Sequence, residues 1–525
     1  MEKNLTKIKS RTISWCFVLL LLLYIVMPAT ASAGFIKRES DTNMTPESIK
    51  ELEYRLAVDD GFSKELEGIE AHGKQAAGSR KMQAVAHGVW SHISIITRPF
   101  TSFQRLLFMV VDTAADALRW TWPNSFKDGE VAPLARYEGM DLVEWERELD
   151  EITGTTSSKG TIRYLIDGEE FFSRLIKRMS EAVESIHLRT YIFDNDEYAT
   201  KIGEILKKRS HEVDTRVMLD GAGSIMATMG DSENMPADHK VPNSVRAFLK
   251  EGSKIRVRQR TNPFFFFDHS KTTILDRKIA FIGGMNIGRE YRYEWHDMMM
   301  EVEGPVVDIL QNDFNRAWAH AGFFGDFEKL IYKLKRKKKV ADDLGYPIRV
   351  LFTRPGDSQI YRTQIAAIRN AKKYIFIQNA YFSDDKFLYE LIRARRRGVD
   401  VRVILPDREN WNKSLKGSLK KMMNSSNALA ANAMLANGIK VYLYPSMTHI
   451  KAAVYDGWAC LGSANFDKAS LHMNEEINIA TSHPPAVNEL VERLFLPDFE
   501  KSRELTSEYK IAAIDRISEL IADQM

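Results

Sequence analysis

The sequence predicts an α/β fold, with two pseudo-symmetric α/β sandwich domains behind a mainly helical N-terminal extension. Three observations predict it. From about Gly160 onward, β-rich runs alternate with helix-like segments, the pattern of α/β units. That alternation occurs twice in the same order, which marks an internal repeat. The residues before it lack the pattern and read as helical.

The repeat justifies each element in turn. In the first half, residues 182–185 lead into the β-rich run 186–193; in the second, 371–373 lead into 374–382. A helix and a second strand follow, 213–220 against 399–406, and then 252–257 matches 438–443. The sequence therefore divides into a first domain over 156–330 and a second over 345–490. The connector 331–344 carries the basic run Lys335 to Lys339, read as a solvated linker or as an attraction to anionic headgroups. Residues 491–525 read as a closing helix, with Ile511, Ile514, Ile517, Leu520 and Ile521 on one face.

The 525 residues are enough for two to four domains, and 44% hydrophobic with 28% charged residues argues against bulk disorder. The net charge of +3 comes from Lys3, Lys7, Lys9 and Arg11 against Glu2; the rest of the chain balances. That is not the basic surface of a typical nucleic-acid enzyme. The same N-terminus reads as an export signal over 1–33. A basic stretch precedes an apolar run from Trp15 to Met27, and Ala31-Ser32-Ala33 fits a cleavage site. The run is short for a membrane span, so a cleaved signal is favoured over a permanent anchor. The expected location is periplasmic or otherwise extracytoplasmic. Only Cys16 and Cys460 are present, so no disulfide framework is expected, and Cys460 reads as a buried structural thiol.

Residues 34–155 form the helical N-terminal region. In the segment 101–122, Phe103, Leu107, Val110, Val111, Ala114, Ala117 and Leu118 recur at helical spacing, with Asp112, Asp116 and Arg119 opposite and Trp120 and Trp122 near the end. Two readings fit: a helix packed on the domain behind it, or an interfacial membrane helix with an aromatic anchor.

Chemistry concentrates in two motifs. His269-Ser270-Lys271 is followed after four residues by Asp276, and His449-Ile450-Lys451 after four residues by Asp456. On a strand, the spacing of two puts His and Lys on one face. Each aspartate then opens a turn into a second strand, leading to Gly283-Gly284-Met285-Asn286 and Gly462-Ser463-Ala464-Asn465. The second copy has one residue fewer between its aspartate and its glycine. Lysines and asparagines can hold the oxygens of an anionic phosphodiester and stabilise charge developing in the transition state. One neutral imidazole can attack phosphorus, and a second can protonate the leaving alkoxide and then deprotonate the incoming alcohol or water. Two copies thus supply one nucleophile and one acid/base.

With these motifs the sequence strongly resembles the phospholipase D superfamily, in particular its cardiolipin synthase-like branch. The similarity covers roughly residues 160–500. It includes Trp295-His296-Asp297, Phe314 with Trp318, Asn474-Glu475-Glu476-Ile477-Asn478, and Phe495-Leu496-Pro497-Asp498 with Ser502. The resemblance implies two phospholipase D-type domains and a phosphatidyltransferase or phospholipase D working through a phosphohistidine. It implies a catalytic set of His269, Lys271, Asp276, His449, Lys451 and Asp456, with His269 the nucleophile and His449 the acid/base. Within that set the two aspartates resemble turn-holding residues. Asn286, Asn465 and Ser463 would contact the phosphate, and Asp297 and Glu476 would orient the histidines. His187, His296 and His472 lack this context and read as structural. No zinc-type Cys/His cluster or Walker motif is present, so no cofactor or metal is expected. The expected partners are a phospholipid substrate and a membrane surface. The alternative is an exported nuclease of the same superfamily, supported by Arg393, Arg395, Arg396, Arg397 and by Lys413, Lys416, Lys420 and Lys421; these spacings also suit exposed helix faces.

Overall fold

Each predicted strand–helix–strand repeat becomes half of one continuous sheet. The computed structural model describes residues 76–119, 130–228, 235–236, 238–334, 345–407 and 418–510. The export signal, the two tryptophans after 119, the basic linker and the apolar face at 511–521 lie outside the described residues. Two compact units divide the chain, Met1–Ile93 and Ser94–Met525. Helix α1 (Ala76–Thr97) crosses that division. It is followed by α2 (Pro99–Arg119) and α3 (Leu142–Thr153), and the longer helices of the first half are α4 (Asp167–Glu181), α5 (Glu197–Arg209) and α6 (Val306–His320).

The first half contributes β1 (Ser158–Ile166), β2 (Ser185–Thr190), β3 (Asp214–Asp220), β4 (Arg256–Arg260), β5 (Thr272–Leu275), β6 (Ile279–Gly283) and β7 (Met298–Glu303). The second contributes β8 (Tyr346–Arg354), the short β9 (Asp357–Ser358), β10 (Tyr374–Asn379), β11 (Asp400–Pro406), β12 (Lys440–Tyr444), β13 (Lys451–Tyr455), β14 (Trp458–Gly462), β15 (Glu476–Thr481) and β16 (Arg503–Glu504). Across the sheet the order is β4-β3-β2-β5-β6-β7-β1-β8-β15-β14-β13-β10-β11-β12-β16. Apart from β16, the order reads the same outward from the β1–β8 seam. In each half the outer three of these repeated strands run parallel and the rest antiparallel. The repeat seen in sequence is therefore a pseudo-two-fold relation in space.

The seam is antiparallel, with Ser158 opposite Ile348 and Gly160 opposite Tyr346. Gly160 has no room for a side chain, since a Cβ there would lie 2.5 Å from the Glu303 carbonyl oxygen. One hydrophobic cluster draws on both halves: Ile162, Tyr164, Val302, Leu310 and Phe314 with Ile348, Val350, Ile450, Leu461 and Leu494. The halves thus share a core, and separating them would expose it to water. Helix α3 completes the second half's own core. Asp141 caps it by accepting from the Val143 and Glu144 N–H groups, and its Trp145 meets Trp458 edge-on at 5.2 Å. The C-terminal helices begin before residue 491, at Pro484, and β16 then pairs with β12.

The residue missing from the second motif is confined to a turn. Leu275 pairs with Ile279 across Asp276-Arg277-Lys278, whereas Tyr455 pairs with Trp458 across Asp456-Gly457. Beyond the turns the register agrees: Gly283 faces Met299 and Gly462 faces Asn478. Ser463 and Asn465 therefore correspond to Gly284 and Asn286.

Candidate active site

His269 and Lys271 immediately precede β5, and His449 immediately precedes β13, which begins at Lys451. What fixes the histidine backbones comes from the opposite half. The His269 N–H donates to the Glu475 carbonyl, and the Glu475 N–H donates to Phe267. Correspondingly, the His449 N–H donates to the His296 carbonyl, and the His296 N–H to Met447. Two short parallel bridges, Asp268 with Glu475 and His296 with Thr448, thus stitch the halves together at the site.

The side chains cross in the same way. His269 Nδ1 lies 2.8 Å from Glu476 Oε1, and His449 Nδ1 lies 2.7 Å from Asp297 Oδ2. Each imidazole is therefore held in one orientation by a carboxyl group of the other half, leaving Nε2 for chemistry. Ser463 donates to Glu476 Oε2 at 2.5 Å. At the equivalent position, a Cβ on Gly284 would lie 2.3 Å from Asp297 Oδ1, so the shorter acid is packed where the longer one is hydrogen-bonded.

Burial, then the Lys271 and Lys451 charges, hold His269 well below its ordinary value. Burial, Lys451 and Lys271 do the same for His449. Burial raises Glu476 to about 8 and Asp297 to about 7, against the opposing pull of the Lys271 and Lys451 charges. Each pair behaves as one unit, because burial penalises a lone charge on either member. Burial also lowers Lys271 to about 7 and Lys451 to about 8. Each ammonium donates to the carbonyl of its own histidine, Lys271 to His269 at 2.6 Å and Lys451 to His449. A buried cationic pair of this kind favours an anionic ligand.

Other predicted residues have different duties. Asp276 and Asp456 sit at the far ends of β5 and β13, away from the histidines. Asp276 accepts from the Val183, Glu184 and Ser185 N–H groups, and Asp456 from Met140, Lys372, Lys373 and Tyr374. Their carboxylates are consumed by the backbone, and both hold positive φ, 52° and 49°. Asn286 is committed too: its Oδ1 accepts from Ile192 N–H and its Nδ2 donates to Tyr291 Oη. Asn286 and Ser463 thus both make hydrogen bonds within the protein. Asn465 differs, since its Oδ1 is buried with no hydrogen-bond partner.

His296 is bound on both nitrogens, to Asp167 at 2.6 Å and Asp498 at 2.7 Å. Burial opposes its charge, but the two carboxylates raise it to about 9. His187 meets Gln311, and His472 meets Asp384. All three are structural. Cys460 is buried, which pushes its thiol up to about 12. Among the described residues, no acidic, His or Cys group is arranged to hold a metal ion.

Sequence reasoning missed two features. Aromatic rings enclose His449: Trp295 at 5.2 Å, Tyr291 at 5.7 Å and Tyr381 at 6.4 Å, while Tyr191 lies 4.9 Å from His269. A buried ion network also anchors the Asp268–Glu475 bridge. Arg189 reaches Asp268, Asp313 and Glu475; Arg260 reaches Asp268 and Glu475; Arg316 reaches Asp313 and Glu475. An arginine in the apolar strand around 189 was the available signal. The arginines that favoured a nuclease are largely spent on the fold. Arg395 donates to the Ala132 and Gly438 carbonyls, Arg396 to Asn437 and Arg397 to the Ile368 carbonyl. Arg393 lies 3.7 Å from Glu390. Lys413 and Lys416, and the side chains of Lys420 and Lys421, lie outside the described residues.

A crossed pair of histidine–carboxyl dyads with two lysines, on a duplicated α/β half, defines an enzyme of the phospholipase D superfamily. The family model for the cardiolipin synthase, PLD-like domain matches residues 175–318 and 364–496, one stretch in each half. The chain belongs to that family. A cardiolipin synthase of Listeria welshimeri is 30% identical over 372 residues, 66% of this chain and 70% of that protein. One of Clostridium perfringens is 27% identical over 421 residues, covering 77% and 84%. The phosphatidylserine synthase structure from Haemophilus influenzae Rd KW20 shares the fold, with a TM-score of 0.57 at 12% identity over 72% of this chain and all of that one. The enzyme is a phosphatidyltransferase.

Proposed function

We propose that this enzyme moves a phosphatidyl group between alcohols through a covalent intermediate on His269, with residues 156–330 and 345–490 acting as one catalytic unit. The observation that carries this reading is the crossing of the dyads, His269 on Glu476 and His449 on Asp297. His269 is the more accessible imidazole, with 13% of its side chain exposed against 5% for His449, which suits a nucleophile.

A phosphodiester binds with its oxygens against the Lys271 and Lys451 ammonium groups and the Asn465 Nδ2 amide donor. Its negative charge offsets the two lysines that lower His449, so His449 takes up a proton. His269 Nε2 attacks phosphorus, the bond to the leaving alcohol breaks, and His449 gives that oxygen its proton. Neutral His449 then removes the proton of an incoming alcohol, whose oxygen displaces His269. The phosphatidyl group has moved, and both histidines are restored. Asp297 and Glu476 hold the imidazoles, while Asn286, Ser463, Asp276 and Asp456 position the elements that carry them.

The enzyme acts at a phospholipid surface outside the cytoplasm, a reading supported by the export-type sequence over 1–33. Among the described residues, no helix is long and apolar enough to cross a membrane. Mass spectrometry of products from mixed phospholipids, with and without glycerol, tests the reaction. The expected result is a new diester of phosphatidyl with the added alcohol, and its loss in either His→Ala variant. Cleavage of DNA with intact lipid would overturn it.

A further inference from the structure

The first half of helix α2 is turned inside out. Of its polar side chains Thr101, Ser102 and Arg105 are buried, as is Arg98 just before the helix, Arg105 at 1% exposure, while Gln104 faces out. Its large apolar side chains face outward: Phe100, Phe103, Leu106, Leu107 and Val110 are exposed, Phe103 at 66%. A helix packed for its own fold would reverse this arrangement.

A second helix, α7 (Asp326–Leu334), extends the same surface. The Thr101 N–H and hydroxyl donate to Asp326 at 2.9 and 2.5 Å, and Arg98 donates to the His320 and Gly322 carbonyls. On and before α7, Phe323, Phe324, Phe327, Leu330 and Ile331 are also exposed, Phe327 at 52%. Polar contacts therefore lock the helices together while both leave their apolar residues outside. An exposed apolar area of this kind marks a docking surface.

Position and charge identify the occupant. The Arg105 guanidinium stacks 4.7 Å over Phe266, and the loop from Phe266 leads through Phe267 to His269. The Phe108 ring lies 6.2 Å from that of His472, on the turn that leads to Glu475 and Glu476. Helix α2 thus bridges the two loops that supply the nucleophile dyad, its polar side on them and its apolar side outward. The sequence continuing from α7 is Lys335-Arg336-Lys337-Lys338-Lys339, the charge that anionic headgroups attract.

We propose that α2 and α7 form one surface that inserts into the outer part of an anionic phospholipid leaflet, seating the His269–Glu476 side of the cleft at the headgroups. The inference rests on the reading of the substrate as a membrane phospholipid. It explains how a two-tailed lipid meets a buried dyad without leaving the bilayer: the leaflet begins where the wall of the site ends.

The test places a bimane label at single accessible cysteines in the full-length chain with Cys16→Ser, the buried Cys460 being kept, at Phe103→Cys, Phe327→Cys and, as a control outside the surface, Val183→Cys. Vesicles of phosphatidylglycerol and phosphatidylcholine carry bromine on the acyl chains. Labels at 103 and 327 are expected to shift to the blue and lose at least half their emission, while the label at 183 is unchanged. The Phe103→Ser/Phe327→Ser variant is expected to lose at least tenfold of its turnover on vesicles and less than twofold on a soluble short-chain phospholipid. Vesicle-bound protein with no quenching at 103 or 327 would overturn the proposal. So would a blue shift that depends on protein concentration without lipid, since a second copy would then cover the surface. Quenching without any phosphatidyl transfer would support the insertion and overturn the reaction instead.

Discussion

At the scale of single residues, the site gathers two buried lysines beside two histidines. Burial lowers Lys271 to about 7 and Lys451 to about 8, so both lose protons as pH rises through that range. A phosphodiester anion needs them charged. The KM for lipid should therefore rise by on the order of a hundredfold or more between pH 7 and pH 9, with kcat/KM falling in step. Steady-state kinetics on a soluble short-chain phospholipid measures this, and a KM that stays flat to pH 9 would contradict it. The acid limb runs the other way. His269 is held well below its ordinary value, so its neutral form persists to lower pH than that of a free imidazole. The histidines and lysines were legible in sequence because residue type and spacing announce them, and the carboxyl partners were legible only through the resemblance to the phospholipase D superfamily. The crossing of the partners was not, because it depends on bridges such as Asp268 with Glu475, residues far apart in the chain. The work of Asn286 was equally hidden, since a chain reading cannot tell an amide facing Tyr291 from one facing a ligand.

Among the elements, the hairpin turns explain why the motif ends in aspartate. Asp456 gathers the N–H groups of Met140, Lys372, Lys373 and Tyr374, tying α3's approach and the start of β10 to the β13–β14 turn. Removing it strands several donors, so Asp456→Ala should cost about 3 kcal/mol of stability. Urea unfolding checks this. A variant as stable as the parent but inactive would instead assign Asp456 to the chemistry. The repeat was legible because alternation and order recur, whereas the strand pairing, with the two halves joined at the β1–β8 seam, was not. The polarity of α2 was only half legible: spacing gave an apolar stripe containing Phe103, Leu107 and Val110, but not the side it faces. That choice is made by Arg98, Thr101 and Asp326, through contacts more than two hundred residues apart in sequence.

For the whole molecule, duplication makes two similar halves and the site makes them unlike. The bridge beside His269 is Asp268 with Glu475 in a net of arginines, whereas the bridge beside His449 is Thr448 with His296, a cation between Asp167 and Asp498. The rings around His449 add to the difference. Two histidines in unlike surroundings can hold unlike roles, which two identical copies could not. The most direct measurement traps the intermediate. The His449→Ala variant, incubated with a phospholipid bearing a good leaving group, quenched and digested, should carry a phosphatidyl group on His269 when its peptides are weighed. A stable adduct on another residue, or turnover that persists at the parent rate with His269 unmodified, would contradict the two-histidine mechanism.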